Sequence, residues 1–178
     1  NTDARDLIHL DNKIKNKQKI IIRDRNKNIC GDRVSMNKII EDDLNFNGSG
    51  LYLMTHTTNP LISSKTLSRG INYYLKEKKI NNIDSLFTVN KYQSRFYDSR
   101  IKPINHRLNN LIPTQELNPL FEENSNFYIF SKKVFNKNHN RIGNRPIMFQ
   151  TPFFESIDID TERNWKLAEI LKGEMYGP

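Results

Sequence analysis

Alternation is the feature that most constrains this fold. Short apolar runs at residues 20–22, 51–54, 85–89 and 126–131 are separated by longer stretches whose apolar residues recur at helical spacing. Strands alternating with helices predict an α/β sheet. Residues 2–17 place Leu7, Leu10 and Ile14 on one helical stripe, and residues 19–23 read as a strand. Ser35 caps a helix through Leu44, with Met36, Ile39, Ile40 and Leu44 facing inward. Residues 51–54 are apolar without a break, the pattern of a strand buried on both faces. Residues 64–78 carry Leu67, Ile71, Tyr74 and Leu75 on one helical face. Residues 162–172 form a last helix, and Gly173 is placed to end it.

The middle breaks this rhythm. Residues 90–125 contain Pro103, Pro113 and Pro119, many Asn residues and no clean period. A stretch that long inside a compact domain is functional or packs on something. Its apolar residues (Tyr92, Phe96, Tyr97, Ile101, Ile104, Leu108, Leu111 and Ile112) have no place in one α/β sheet, which suggests a partner surface over residues 90–119. No internal repeat and no Pro/Gly/Ser-rich linker divides the 178 residues, so they read as one domain.

Composition narrows the function classes. The net charge is +8, and the densest basic stretch, residues 13–27, flanks the apolar triplet at 20–22. No aromatic-interleaved basic motif accompanies that charge, so it reads as solvated lysine and arginine around a strand rather than a nucleic-acid surface. No apolar run is long enough to span a bilayer. Cys30 is the sole cysteine, which excludes an internal disulfide framework and a cysteine-based zinc site and favours a reducing, cytoplasmic setting.

The most informative string runs Glu155-Ser156-Ile157-Asp158-Ile159-Asp160-Thr161-Glu162. In a strand, Asp158 and Asp160 would project from one face about 6–7 Å apart. At the carboxyl end of a strand, before a helix, two such carboxylates suit Mg²⁺ or Mn²⁺. The plainer alternative is that Asp160 or Thr161 caps the last helix and Asp158 is solvated.

That string, followed by Trp165-Lys166-Leu167-Ala168-Glu169, resembles the C-terminal signature of the acylneuraminate cytidylyltransferase (CMP-sialic acid synthetase) family. There an S-I-D-I-D-T/E string leads into a D/N-[FW]-K-L-A-E helix. Other strings match in order. Asn1-Thr2-Asp3 is similar to the S/N-T-D that ends an early strand, and Gly31-Asp32-Arg33-Val34-Ser35 to the x-D-x-x-S segment beside the cytosine base. Thr55-His56-Thr57-Thr58-Asn59-Pro60-Leu61 resembles the T-H-A-T-N-P-L turn at the acidic sugar, and Glu123-Asn124-Ser125-Asn126-Phe127-Tyr128-Ile129 resembles E-N-G-x-x-Y-I. Each has a plain structural reading too: a helix cap for Ser35, a solvated loop residue for His56, a turn for Asn124.

The resemblance implies a Rossmann-like nucleotidyltransferase fold with a mixed sheet, acting in the cytoplasm as a homodimer through residues 90–119. It implies transfer of CMP from CTP to an acidic nine-carbon sugar, with release of pyrophosphate. Asp158 and Asp160 would be the catalytic metal ligands for Mg²⁺ or Mn²⁺. Asp32 and Ser35 would meet the nucleotide, and His56, Asn59, Gln115 and Asn124 the sugar. Three departures stand out. Pro113-Thr114-Gln115 replaces R-x-Q, and Glu122 occupies a position that is often basic, so two cations near an anionic ligand are absent. Arg95, Arg100 and Arg107 are candidates to replace that charge across a dimer interface, against the plainer reading of solvated loop charges. The glycine-rich P-A-R-G-G-S-K-G phosphate loop has no counterpart, so the chain reads as lacking the N-terminal strand and cradle, and residues 1–178 alone are expected to be inactive. The rival expectation is an inactive family member kept as a binding or structural protein.

Overall fold

The computed structural model describes residues 1–4 and 19–176. The expected helix over residues 2–17 lies almost wholly outside them. The chain divides into two compact units, Asn1–Gly50 and Leu51–Pro178.

In the first unit, residues 19–23 form no strand. The pairing there is one parallel bridge, Thr2 with Asp24, held by Thr2 N donating to Arg23 O at 2.8 Å and Arg25 N to Thr2 O at 2.7 Å. The apolar triplet therefore lies in an irregular stretch whose Ile20 and Ile21 are exposed. Helix α1 (Met36–Asn47) starts as expected, with the Ser35 side chain accepting from Asn37 N. Ile40 and Leu44 are buried, whereas Met36 at the first turn is exposed. Arg23 binds Asp42 and Asp43 of α1 at 2.9 Å each and lies over the Phe46 ring. Charge fixes this segment on the helix where apolar burial does not.

The second unit is a four-stranded mixed sheet with three helices. Its strands are β1 (Leu51–Thr55), β2 (Ser85–Tyr92), β3 (Leu120–Ser131) and β4 (Pro146–Gln150), in the order β1-β3-β2-β4. β3 is antiparallel to β1 and β2, and β2 is parallel to β4. The carboxyl ends of β1, β2 and β4 thus share one edge with the start of β3. Helix α2 (Ser64–Asn81) covers one face, where Tyr74, Ile83, Leu86, Phe127, Ile129 and Phe149 form the core. Its contact face is Thr66, Gly70 and Tyr74, a spacing of four; Ile71 and Leu75, expected inside, are exposed. Gly70 sets that rotation. An added Cβ there would collide with the Phe127 ring, so the helix presents its smallest residue to the sheet.

Two further expectations are corrected. β1 is not buried on both faces: Leu51 and Leu53 are exposed, because β1 is an outer strand of the described sheet and only the face carrying Tyr52 and Met54 is covered. Gly173 does not end the last helix, since α4 (Glu162–Tyr176) runs through it. A single glycine lowers helix propensity by about 1 kcal/mol, too little to stop a helix alone. Between β3 and β4 lies the short helix α3 (Lys132–Asn138), capped by Ser131. Among the described residues no helix is long and apolar enough to cross a membrane.

Candidate functional site

Three of the four expected sugar-side residues, His56, Asn59 and Asn124, lie at the edge shared by the strand ends. Open α/β sheets bind ligands at such an edge. A bulge shapes it: Phe87 pairs with Tyr128, but Val89 pairs with Glu123, so residues 124–127 of β3 bow out opposite Thr88. Thr88 Oγ1 fills the gap by donating to Phe127 O and accepting from Phe127 N. Ser125 sits in the bulge with φ +57°, the left-handed region that favours glycine. The E-N-G string that this segment resembles carries its glycine at that position.

Asn124 is buried in the bulge and fully engaged. Its Nδ2 donates to Asn90 Oδ1 at 2.9 Å and to Thr151 Oγ1 at 2.7 Å, and its Oδ1 accepts from Asn126 N. Asn126 Nδ2 also reaches Thr151 Oγ1 at 3.3 Å. Asn90 in turn donates to Glu122, as does Tyr92. The acid at position 122 thus terminates a buried asparagine chain.

Beside this chain lies a second network. His56 follows β1. Arg141, from the loop after α3, places Nη1 3.3 Å from His56 Nε2 and Nη2 2.9 Å from the Tyr128 hydroxyl. Its guanidinium lies 3.7 Å from the Tyr128 ring centroid and 3.6 Å from Glu123. The Tyr128 hydroxyl donates to Glu123 in a short hydrogen bond. Burial and this acceptor push the Tyr128 hydroxyl up to about 12. His56 is shifted the other way. Burial first and the Arg141 charge second lower its pKa, against the opposing pull of Asp158 and Glu123.

The Asp158 segment reaches the same edge by a different route from the one expected. Residues 157–160 form no strand. Ile157 leaves a 3-10 turn, Phe153–Ser156, in extended conformation, and the segment bonds to the turn after β1: Ile159 N donates to Thr58 O at 2.9 Å, and Asn59 Nδ2 to Ile157 O at 3.4 Å. The alternating string suits an extended loop as well as a strand, and backbone partners on the Thr58–Asn59 turn select the loop. Ser156 is buried with its hydroxyl turned back to Phe153 O, so it is not part of a carboxylate face. Glu155 anchors the turn, accepting from Ser63 N, Ser63 Oγ and Thr66 Oγ1 at 3.0 Å each. A buried carboxylate at the start of α2 meets unpaired N–H groups and the positive end of the helix dipole.

Asp158 is half-buried, and its Oδ1 is a buried acceptor without a hydrogen-bond donor; Asn59 Oδ1 is another. An unpaired carboxylate oxygen away from solvent fits a hard divalent cation. Asp160 is exposed at the next turn, where Thr161 caps α4 by accepting from Asn164 N. Among the described residues no group of three or more His, Cys, Asp or Glu gathers as a ready-made metal cage. Two carboxylates are what Mg²⁺ uses when substrate phosphates supply the rest.

Two other expected residues belong to the first unit, and Gln115 to the segment between β2 and β3. Asp32 is exposed in the turn before α1, where Gly31 has φ +109°, and Ser35 is the α1 cap, both in the first unit. Gln115 is exposed in a 3-10 turn, Thr114–Glu116, within the extension, accepting from its neighbour Thr114. Sequence reasoning missed Arg141, Glu155 and the roles of Tyr128 and Glu123. Arg141 sits in Asn138-His139-Asn140-Arg141-Ile142-Gly143-Asn144-Arg145, which reads as a solvated loop. Gly143 alone signals otherwise: a Cβ there would strike the Asp84 carboxylate. No family model matches the chain, and no curated protein matches it.

Proposed function

We propose that this chain belongs to a cytidylyltransferase that activates an acidic nine-carbon sugar with CTP, on a Rossmann-like nucleotidyltransferase fold. One observation carries the reading. The two strings most specific to the resemblance, the T-N-P-L turn and the D-I-D segment, are hydrogen-bonded to each other across 98 residues. Strings related only by chance have no reason to meet at the strand ends.

In this reading the sugar's anomeric hydroxyl attacks the α-phosphorus of CTP. A phosphorus–oxygen bond forms to the sugar, the α–β bond breaks, pyrophosphate leaves and the hydroxyl proton is released. Asp158 and Asp160 would hold Mg²⁺ or Mn²⁺, which supplies neutralisation of charge developing on the phosphoryl oxygens. His56 and Asn59 orient the acidic sugar, and Asp32 and Ser35 serve the nucleotide. Asn124 acts indirectly, by holding the bulge in shape. The working form is a homodimer through residues 90–119.

The test is pyrophosphate release from CTP by the complete protein, with a panel of nonulosonic acids and Mg²⁺. Asp160→Asn is expected to lower Mg²⁺-dependent turnover on the order of 100-fold, the cost of removing a metal ligand. Full activity in that variant refutes the metal assignment. No turnover with any acid in the panel refutes the reaction.

A further inference from the structure

We propose that Arg141 is a positioning residue that locks His56 as a neutral ring protonated on Nδ1, so that His56 meets its ligand as a hydrogen-bond donor and not as a base, a cation or a metal ligand. The ligand's role rests on the proposed function; the tautomer does not.

Arginine has five N–H donors and no acceptor. A hydrogen bond from Arg141 Nη1 to His56 Nε2, at 3.3 Å, therefore needs the Nε2 lone pair. The ring proton is then on Nδ1. A doubly protonated ring would set two cations face to face in a half-buried place. A ring protonated on Nε2 would point an N–H at a guanidinium. Only the Nδ1–H form satisfies both partners.

The lock holds because Arg141 cannot turn away. Tyr128 accepts from its Nη2 and stacks beneath its plane, Glu123 balances its charge, and its side chain is only 16% exposed. Its loop is tied to the start of β2: Gly143 N donates to Ser85 Oγ at 2.7 Å, while Asn144 N and Arg145 N donate to the Asp84 carboxylate at 2.9 and 3.1 Å. Gly143 is required there because a side chain would displace Asp84.

The consequence is chemical. With Nε2 engaged, the ring has no free lone pair to take a proton or bind a metal. Its remaining function is an Nδ1–H donor, which matches an anionic oxygen such as the sugar carboxylate. A preset tautomer also spares the complex the cost of choosing one on binding.

The experiment is a two-bond ¹H–¹⁵N correlation on the complete protein labelled at histidine, with the His56 signals assigned by their loss in His56→Asn. The expected spectrum shows His56 protonated on Nδ1 and bare at Nε2. Arg141→Met is expected to move it to the Nε2–H form and to raise KM for N-acetylneuraminate, the probe sugar, about tenfold with kcat much less changed. Tyr128→Phe, which loosens Arg141 without removing it, is expected to give a mixture. If Arg141→Met does not fold, the wild-type and Tyr128→Phe spectra decide. An Nε2–H ring in the wild type, or an unchanged ring in the folded Arg141→Met protein, overturns the proposal. A correct tautomer with no cytidylyl transfer refutes the proposed function and leaves the lock standing.

Discussion

The sheet and the extension at residues 93–119 hold themselves together by opposite means. In the sheet, Phe127, Ile129, Leu86 and Tyr74 are almost wholly buried, and burial does the ordering. In the extension, Tyr97, Ile101, Ile104, Leu108 and Leu111 are exposed, Ile101 by 81%. What orders it is hydrogen bonding, between backbone groups and from side chains to the backbone. Asn105 donates to Ser94 O and Asn118 O and accepts from Phe96 N; Arg95 donates to Ile112 O at 2.6 Å; Asp98 accepts from Arg100 N and Lys102 N. Polar residues can thus shape a segment whose apolar side chains remain available to a partner. The arginines divide accordingly. Arg95 is spent on the loop itself, whereas Arg100 is exposed beside Asp98.

Four measurements test how far the two regions differ. Phe127→Ala removes the ring against which α2 and Phe149 pack, and is expected to cost about 3–5 kcal/mol in urea unfolding. A loss below 1 kcal/mol would mean the sheet is not held by its core. Asn105→Ala unties the extension and is expected to cost about 1–2 kcal/mol locally. Hydrogen exchange should report it as faster exchange of the Phe96 amide, with the Ile129 amide unchanged. Equal acceleration at both sites would merge the two regions into one cooperative unit. Leu108→Asp with Leu111→Asp is expected to change the stability of the dissociated monomer by about 0.5 kcal/mol or less, because both side chains are exposed in the single chain. It should nonetheless turn a dimer into a monomer in light scattering. A wild-type monomer, or a dimeric double variant, moves the interface elsewhere.

The smallest effect is in pH. The fold holds His56, between Arg141, Asp158 and Glu123, below its ordinary value of 6.5. The unfolded chain therefore binds more protons than the folded one in the window below pH 6.5. The contribution of His56 is fully present above 6.5 and is lost as pH falls through the folded value. His56→Gln should flatten the acid side of the stability profile in that window. An unchanged acid limb would show that His56 titrates alike in both states.

These results also mark how far the sequence is readable. The strands at residues 85–89 and 126–131 and the helix from 64 are legible because their apolar spacing is local. The face of α2 is misread because Gly70, carrying no apolar signal, decides which side meets Phe127. The D-I-D string shows its carboxylates but not its backbone, since alternation is shared by strands and extended loops. Arg141 is invisible because its partner His56 is 85 residues away and nothing around residue 141 is apolar enough to predict burial. Glu155 is hidden in the same way, 92 residues from Ser63. Local pattern reveals elements; hydrogen bonds across the chain decide how the site is wired.

The bond between Asn59 and Ile157 also bears on how the protein is made. Its partners leave the ribosome 98 residues apart. The turn after β1 must wait for β2, the extension, β3 and β4 before its partner exists. Contacts of such separation come late and slow folding. Truncation between residues 151 and 156 therefore keeps all four strands of the sheet and none of the Asp158 side of its site.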